Sequence, residues 1–103
     1  MSAEFDTEGY LLDLDAWSEA VARDVARREG IELTAAHWQI IGVLRDFYDR
    51  TGVAPSMRPL VKLVREALGP ECGNSIHLLT LFPGSPAKLA AKIAGLPRPT
   101  NCV

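Results

Sequence analysis

Ser85-Pro86-Ala87-Lys88-Leu89-Ala90-Ala91-Lys92-Ile93-Ala94-Gly95-Leu96-Pro97-Arg98-Pro99-Thr100-Asn101-Cys102-Val103 holds a complete helix and the segment beyond it. Ser85 is a good N-cap. Pro86 suits the first helical position, where its missing N–H has no intrahelical partner to lose. Ala87 to Ala94 continue the helix, and Gly95 ends it. Pro97 and Pro99 then exclude a new helix and favour an extended, polyproline-like segment. The stretch predicts a helical domain over residues 1–95 and a flexible arm over 96–103 that adds little to the core.

Upstream, the same start and stop signals repeat. Asn74 or Ser75 opens a short helix that runs towards Phe82 and is stopped by Pro83-Gly84. Ser56 caps a helix with Leu60, Val61, Val64 and Leu68 on one side and Gly69-Pro70 after it. Thr34 caps another, whose stripe of Trp38, Ile41, Leu44, Phe47 and Tyr48 ends at Gly52. The first helix is expected to start near Asp13 or Asp15, either of which can cap it, to carry Trp17, Val21 and Val25, and to stop at Gly30. Before it, Phe5-Asp6-Thr7-Glu8-Gly9-Tyr10 sets turn formers between aromatics, the pattern of a short β-hairpin. The predicted fold is mainly α: a small bundle of five helices with an N-terminal β-hairpin and an extended C-terminal arm.

A chain of 103 residues has room for one domain. Its 48% hydrophobic and 23% charged residues fit a globular core and argue against disorder. No apolar run approaches the ~20 residues that a bilayer span requires. The acidic start, with Glu4, Asp6 and Glu8, lacks the features of a secretory signal. Two cysteines are too few for a disulfide framework, and a reducing cytoplasm is the expected compartment. The net charge of -2 conceals a polarity: Glu4, Asp6, Glu8, Asp13, Asp15 and Glu19 precede any base. After Glu71 there is no acid at all. Such a basic half can dock on an acidic protein or a phosphate backbone, or simply be solvated.

Chemistry concentrates on Cys102. A thiol near the end of an arm can enter a partner's pocket while the bundle stays outside, and its anion is the reactive form. Arg58, Lys62, Lys88, Lys92 and Arg98 are the candidates for docking and for favouring that anion. Nothing in the tail supplies a histidine base or an oxyanion hole, so self-contained catalysis is not expected. Cys72 lies in the loop Gly69-Pro70-Glu71-Cys72-Gly73-Asn74 and reads as a loop cysteine or a second redox partner. Cys72, His77, His37 and Cys102 have no recognised metal-ligand spacing, and no metal or organic cofactor is expected. His37 and His77 read as surface or boundary residues, Trp17 and Trp38 as core anchors. A helix-turn-helix over the second and third helices would lack Asn or Gln on its third helix for base edges.

The segments Phe82-Pro83-Gly84-Ser85-Pro86-Ala87-Lys88 and Lys92-Ile93-Ala94-Gly95-Leu96-Pro97-Arg98-Pro99-Thr100-Asn101-Cys102-Val103 resemble the C-terminal region of the DsrC/TusE family. Gly9-Tyr10, Ile31-Glu32-Leu33-Thr34 before His37-Trp38, Leu44-Arg45-Asp46-Phe47-Tyr48, Arg58 with Leu60-Val61-Lys62, and Gly73-Asn74-Ser75 extend the likeness along the chain. The resemblance implies a helical bundle with a mobile arm whose penultimate cysteine, here Cys102, carries sulfur. Two-cysteine members have a second arm cysteine eleven positions earlier, where this chain has Ala91. The single-cysteine pattern is similar to members that relay a persulfide in tRNA 2-thiouridine synthesis. It implies a TusBCD-like donor and an MnmA-like tRNA thiolase as partners. The alternatives are a DsrC-like partner of dissimilatory sulfite reductase and a redox or regulatory binding module. Ile76-His77-Leu78-Leu79 and Cys72 stand where many relatives have basic or aromatic residues.

Overall fold

A computed structural model describes residues 4–99. Among them lie five α-helices: α1 Glu19–Arg28, α2 Ala35–Thr51, α3 Met57–Leu68, α4 Ser75–Leu81 and α5 Pro86–Ile93. The mainly helical expectation holds, and α2 to α5 start and stop where their punctuating residues stand.

Two N-terminal expectations are corrected. The predicted β-hairpin reduces to one antiparallel bridge between Phe5 and Leu11, with no strand among the described residues. Asp6 explains this: its Oδ1 accepts from the N–H groups of both Glu8 and Tyr10 at 2.9 Å, closing a turn through a side chain. Among the described residues, Asp6 N–H to Tyr10 O and Leu12 N–H to Glu4 O pair the two arms, short of a ladder. The first α-helix does not begin at Asp13 or Asp15. Asp13 caps a single 3₁₀ turn, Leu14–Ala16, and Trp17 then adopts extended backbone. Ser18, whose Oγ accepts from Val21 N–H at 3.2 Å, starts α1.

α5 is the hub, packing against each of the other four helices. Its composition is the reason. Pro86, Ala87, Ala90, Ala91, Ile93 and Ala94 are all buried, and alanine allows neighbouring backbones to approach closely at little entropic cost. Around it stand Val25 and Ala26 of α1, Ile40, Ile41 and Leu44 of α2, Leu60 and Val64 of α3, and Leu78 of α4 with Phe82 beyond it.

His37 is buried, not superficial. Its Nδ1 accepts from Thr34 N–H at 3.1 Å and its Nε2 lies 2.8 Å from Leu81 O. Those partners assign the proton to Nε2. His37 thus takes the place of the usual acidic residue in the capping box of α2, and its ring meets Phe82 edge-on at 5.1 Å.

Candidate functional site at the root of the C-terminal segment

Cys102 lies outside the described residues, so the site is built from what holds the chain leading to it. An α-helix leaves its last four carbonyls without intrahelical partners. At the end of α5 each one is satisfied. Leu96 N–H donates to Ala91 O at 2.9 Å and Gly95 N–H to Lys92 O at 3.2 Å, the paired bonds of a Schellman turn. The indole Nε1 of Trp17 donates to Ile93 O at 3.0 Å, and Arg45 Nη1 donates to Ala94 O at 2.6 Å.

The two outside donors also support each other. The Arg45 guanidinium lies 3.9 Å from the centre of the Trp17 ring, in cation–π contact. Burial pulls the Arg45 guanidinium below its ordinary pKa, and nearby Asp49 acts in the opposite direction. Gly95 has φ +75°, and a Cβ there would overlap Trp17 Cδ1. Glycine is required on both counts. Trp17 and Arg45 also border an open groove of about 470 Å³ lined by Arg23, Trp38, Ile41 and Gly42.

The expected division after Gly95 does not coincide with the edge of the core. Leu96 is 2% exposed and belongs to the main hydrophobic cluster. Pro99 is also buried, and Arg98 Nη1 lies 2.8 Å from Glu8 Oε1. The beginning of the predicted arm is therefore packed against the domain.

Among the basic candidates, Lys92 and Arg98 face acids of this same chain. Lys92 Nζ sits 3.4 Å from Glu29 Oε2 and 5.3 Å from the Tyr10 ring centre, with its aliphatic stem alongside Gly9. The charge polarity is thus partly answered internally, acidic N-terminal half against basic C-terminal half. Arg58 and Lys62 stand exposed one turn apart on α3 and make no ion pair among the described residues. Lys88 is half-buried in the first turn of α5.

Cys72 is partly buried against the core, and its N–H donates to Gly69 O at 3.2 Å. Ala91 is fully buried. His77 is half-buried, its N–H donating to Asn74 Oδ1.

Sequence reasoning missed Trp17, Arg45 and Glu8. Trp17 was assignable as an anchor, but its hydrogen-bond partner lies 76 residues away and leaves no local signal. Gly95 was legible as a terminator, not as the floor beneath an indole.

A family model described as "DsrC like protein" matches residues 1–103. Sulfurtransferase TusE of Sodalis glossinidius is 53% identical over 98 residues, covering 95% of this chain and 91% of that protein. A sulfurtransferase TusE homolog of Haemophilus influenzae is 48% identical over 103 residues, covering 100% of this chain and 94% of the relative. Among solved structures, the NMR structure of Allochromatium vinosum DsrC superposes with a TM-score of 0.90 at 48% identity, covering 98% of this chain and 90% of that one. The oxidized γ-subunit of the dissimilatory sulfite reductase (DsrC) from Archaeoglobus fulgidus superposes at 0.82 with 44% identity, covering 98% and 92%.

Proposed function

The chain belongs to the DsrC-like family, and from that premise we propose that it is a sulfur carrier that accepts a persulfide on Cys102 and relays it in tRNA 2-thiouridine synthesis. The carrying observation is the single-cysteine C-terminal segment in a chain about half identical to sulfurtransferases named TusE. With Ala91 fully buried in the second-cysteine position, the arm has one thiol to offer.

The relay consists of two exchanges. The Cys102 thiolate attacks the outer sulfur of a donor persulfide, the new sulfur–sulfur bond forms, and the donor cysteine leaves as thiolate. An acceptor thiolate then attacks the outer sulfur on Cys102, which departs as thiolate in turn. No net oxidant is consumed, because the sulfane sulfur moves at constant oxidation level. A TusBCD-like protein is the proposed donor and an MnmA-like tRNA thiolase the acceptor, with the exchange in the cytoplasm. Arg58, Lys62 and Lys88 are the proposed docking cations. Lys92 and Arg98 become available to a partner only by exchanging Glu29 and Glu8. Residues 96–103 act as the arm.

Mass spectrometry of the intact protein after incubation with a persulfide donor tests the carrier. The expected gain is about one sulfur atom, since one thiolate accepts one sulfane sulfur. Cys102→Ser abolishes the gain and Cys72→Ser preserves it; loading that survives Cys102→Ser sinks the assignment.

A second reading, a sulfite-reductase partner, is favoured by the solved neighbours named as DsrC. It requires chemistry between two arm cysteines. Ala91→Cys tests whether that path is sterically open: if it confers an internal disulfide with Cys102, only the missing thiol keeps this chain from it. If it does not, burial of position 91 closes that path.

A further inference from the structure

We propose that Trp17 and Arg45 are positioning residues of the relay: by holding Ile93 O and Ala94 O they set the point and direction from which the Cys102 arm leaves the domain. The inference rests on the carrier reading and adds to it a pair of residues outside the arm.

A helix that simply ended at a surface could leave its last carbonyls to water. Here the Schellman bonds already satisfy Ala91 O and Lys92 O, yet two long side chains from other parts of the chain are brought in for Ile93 O and Ala94 O. Trp17 comes from the extended link before α1, and Arg45 from the middle of α2. The two donors reach the helix end from separate elements, so it cannot pivot without breaking one of them. The positive φ at Gly95 fixes the next bond direction, and the indole lies against that residue.

Leu96 and Pro99 are packed beyond this turn, so a displacement of the root is passed on through them. Pro99 and Cys102 are three residues apart, at most about 11 Å of chain. Thiolate attack requires the reacting atoms within about 3.5 Å, so a root displaced by a similar distance withholds the sulfur from a folded acceptor. A small diffusible donor finds Cys102 wherever it is; a folded acceptor does not.

That contrast defines the test. Trp17→Phe keeps a ring against Gly95 and Arg45 but removes the N–H donor. Arg45→Met keeps the aliphatic stem and removes the guanidinium. Trp38→Phe, a matched change at the other tryptophan, is the control. In each, sulfur loading from inorganic polysulfide and transfer from loaded Cys102 to a purified MnmA-type thiolase are measured. In the Cys72→Ser background, spin labels at Cys102 and at Gln39→Cys on α2 report the arm's distance distribution. The expected result for both clamp variants is a broadened or shifted distribution and transfer slowed at least about tenfold, with polysulfide loading within about twofold of wild type.

Transfer at the wild-type rate overturns the proposal, whether or not the distribution moves. Slowed transfer with an unchanged distribution overturns it too, because the residues would then act otherwise than by aiming the arm. Should a variant lose its circular dichroism signal, the comparison passes to Gly95→Ala, which disturbs the same turn through Trp17. Should the wild-type protein fail to load sulfur, the carrier reading falls, while the distance measurements still decide whether the clamp aims the arm.

Discussion

Two helices of this bundle end at glycine and lead the chain towards a cysteine, and they are closed in opposite ways. The exit of α3 runs from Gly69 to Asn74 and contains Cys72. It is closed by its own neighbours: Gly73 N–H donates to Gly69 O, Arg65 Nε to Gly73 O at 3.1 Å, and Asn74 Nδ2 to Pro70 O and Glu71 O. Every partner is within eight residues. The exit of α5, leading towards Cys102, draws on Arg45, Trp17 and Glu8, which lie 49, 76 and 90 residues away. A local closure forms with its helix. A closure made by distant residues exists only once the bundle has assembled, so the end of α5 reports the state of the whole domain.

Glycine-to-alanine changes should sharpen that contrast most. At Gly73 a Cβ would run into the backbone of Arg65, which cannot move without unwinding the last turn of α3. Gly73→Ala is expected to cost about 3 kcal/mol or more, the upper end of overpacking effects. At Gly95 the obstacle is the Trp17 side chain, and the positive φ adds strain. Gly95→Ala should cost about 2 kcal/mol, from left-handed backbone strain and a weakened indole hydrogen bond. Urea denaturation gives both values. The functional order should be the reverse, with protein-to-protein sulfur transfer impaired more by Gly95→Ala. Equal thermodynamic costs would mean that α3 yields as easily as an indole.

Truncation is expected to produce the next largest effect. Removing residues 96–103 exposes the pocket of Leu96 and ends the Schellman closure, at an expected cost of about 2–3 kcal/mol in all, from Leu96 and Pro99 together. Removing 97–103 keeps Leu96 and should cost about 1 kcal/mol, chiefly from Pro99. Thermal melts of the two truncated forms should therefore differ by several degrees, about 4–8 °C per kcal/mol in a domain of this size. Coincident melts would show that Leu96 contributes nothing and that the core does end at Gly95.

Most helix boundaries were legible because punctuation is local. Ser85-Pro86 and Asn74 announce starts, and Gly52 and Gly69 announce ends, through backbone preferences that need no tertiary contact. The failures share one cause. Asp13, Asp15 and Ser18 all offer caps within six residues, and what selects Ser18 is Trp17, whose extended backbone accompanies an indole bonded to α5. His37 looked like a surface or boundary residue because its Nε2 partner, Leu81 O, lies on another helix. The hairpin pattern around Gly9 gives, among the described residues, a turn and one bridge without strands, because Asp6 closes it with a side chain. As for the site, a penultimate cysteine after two prolines is a one-dimensional signal, whereas a clamp made from Trp17 and Arg45 has no sequence signature.

The smallest effect should come from the ion pair between Arg98 and Glu8. Both side chains are about half exposed, at 56% and 47%, and the 2.8 Å contact is open to salt. Exposed pairs of this kind contribute about 0.2–1 kcal/mol, so a double-mutant cycle with Arg98→Ala and Glu8→Gln should give a coupling of about 0.5 kcal/mol or less. The coupling should shrink as ionic strength rises, because the Debye length falls to about 3 Å at 1 M salt. This weakness matters for a relay. The buried contacts of Leu96 and the hydrogen bonds that Trp17 and Arg45 donate to the end of α5 hold the root firmly, while the last charged contact before Cys102 can be exchanged for an acidic group on a partner at almost no free-energy cost. A coupling above about 1.5 kcal/mol, or one insensitive to salt, would mean that Glu8 holds the arm as firmly as Trp17 and Arg45 hold its root.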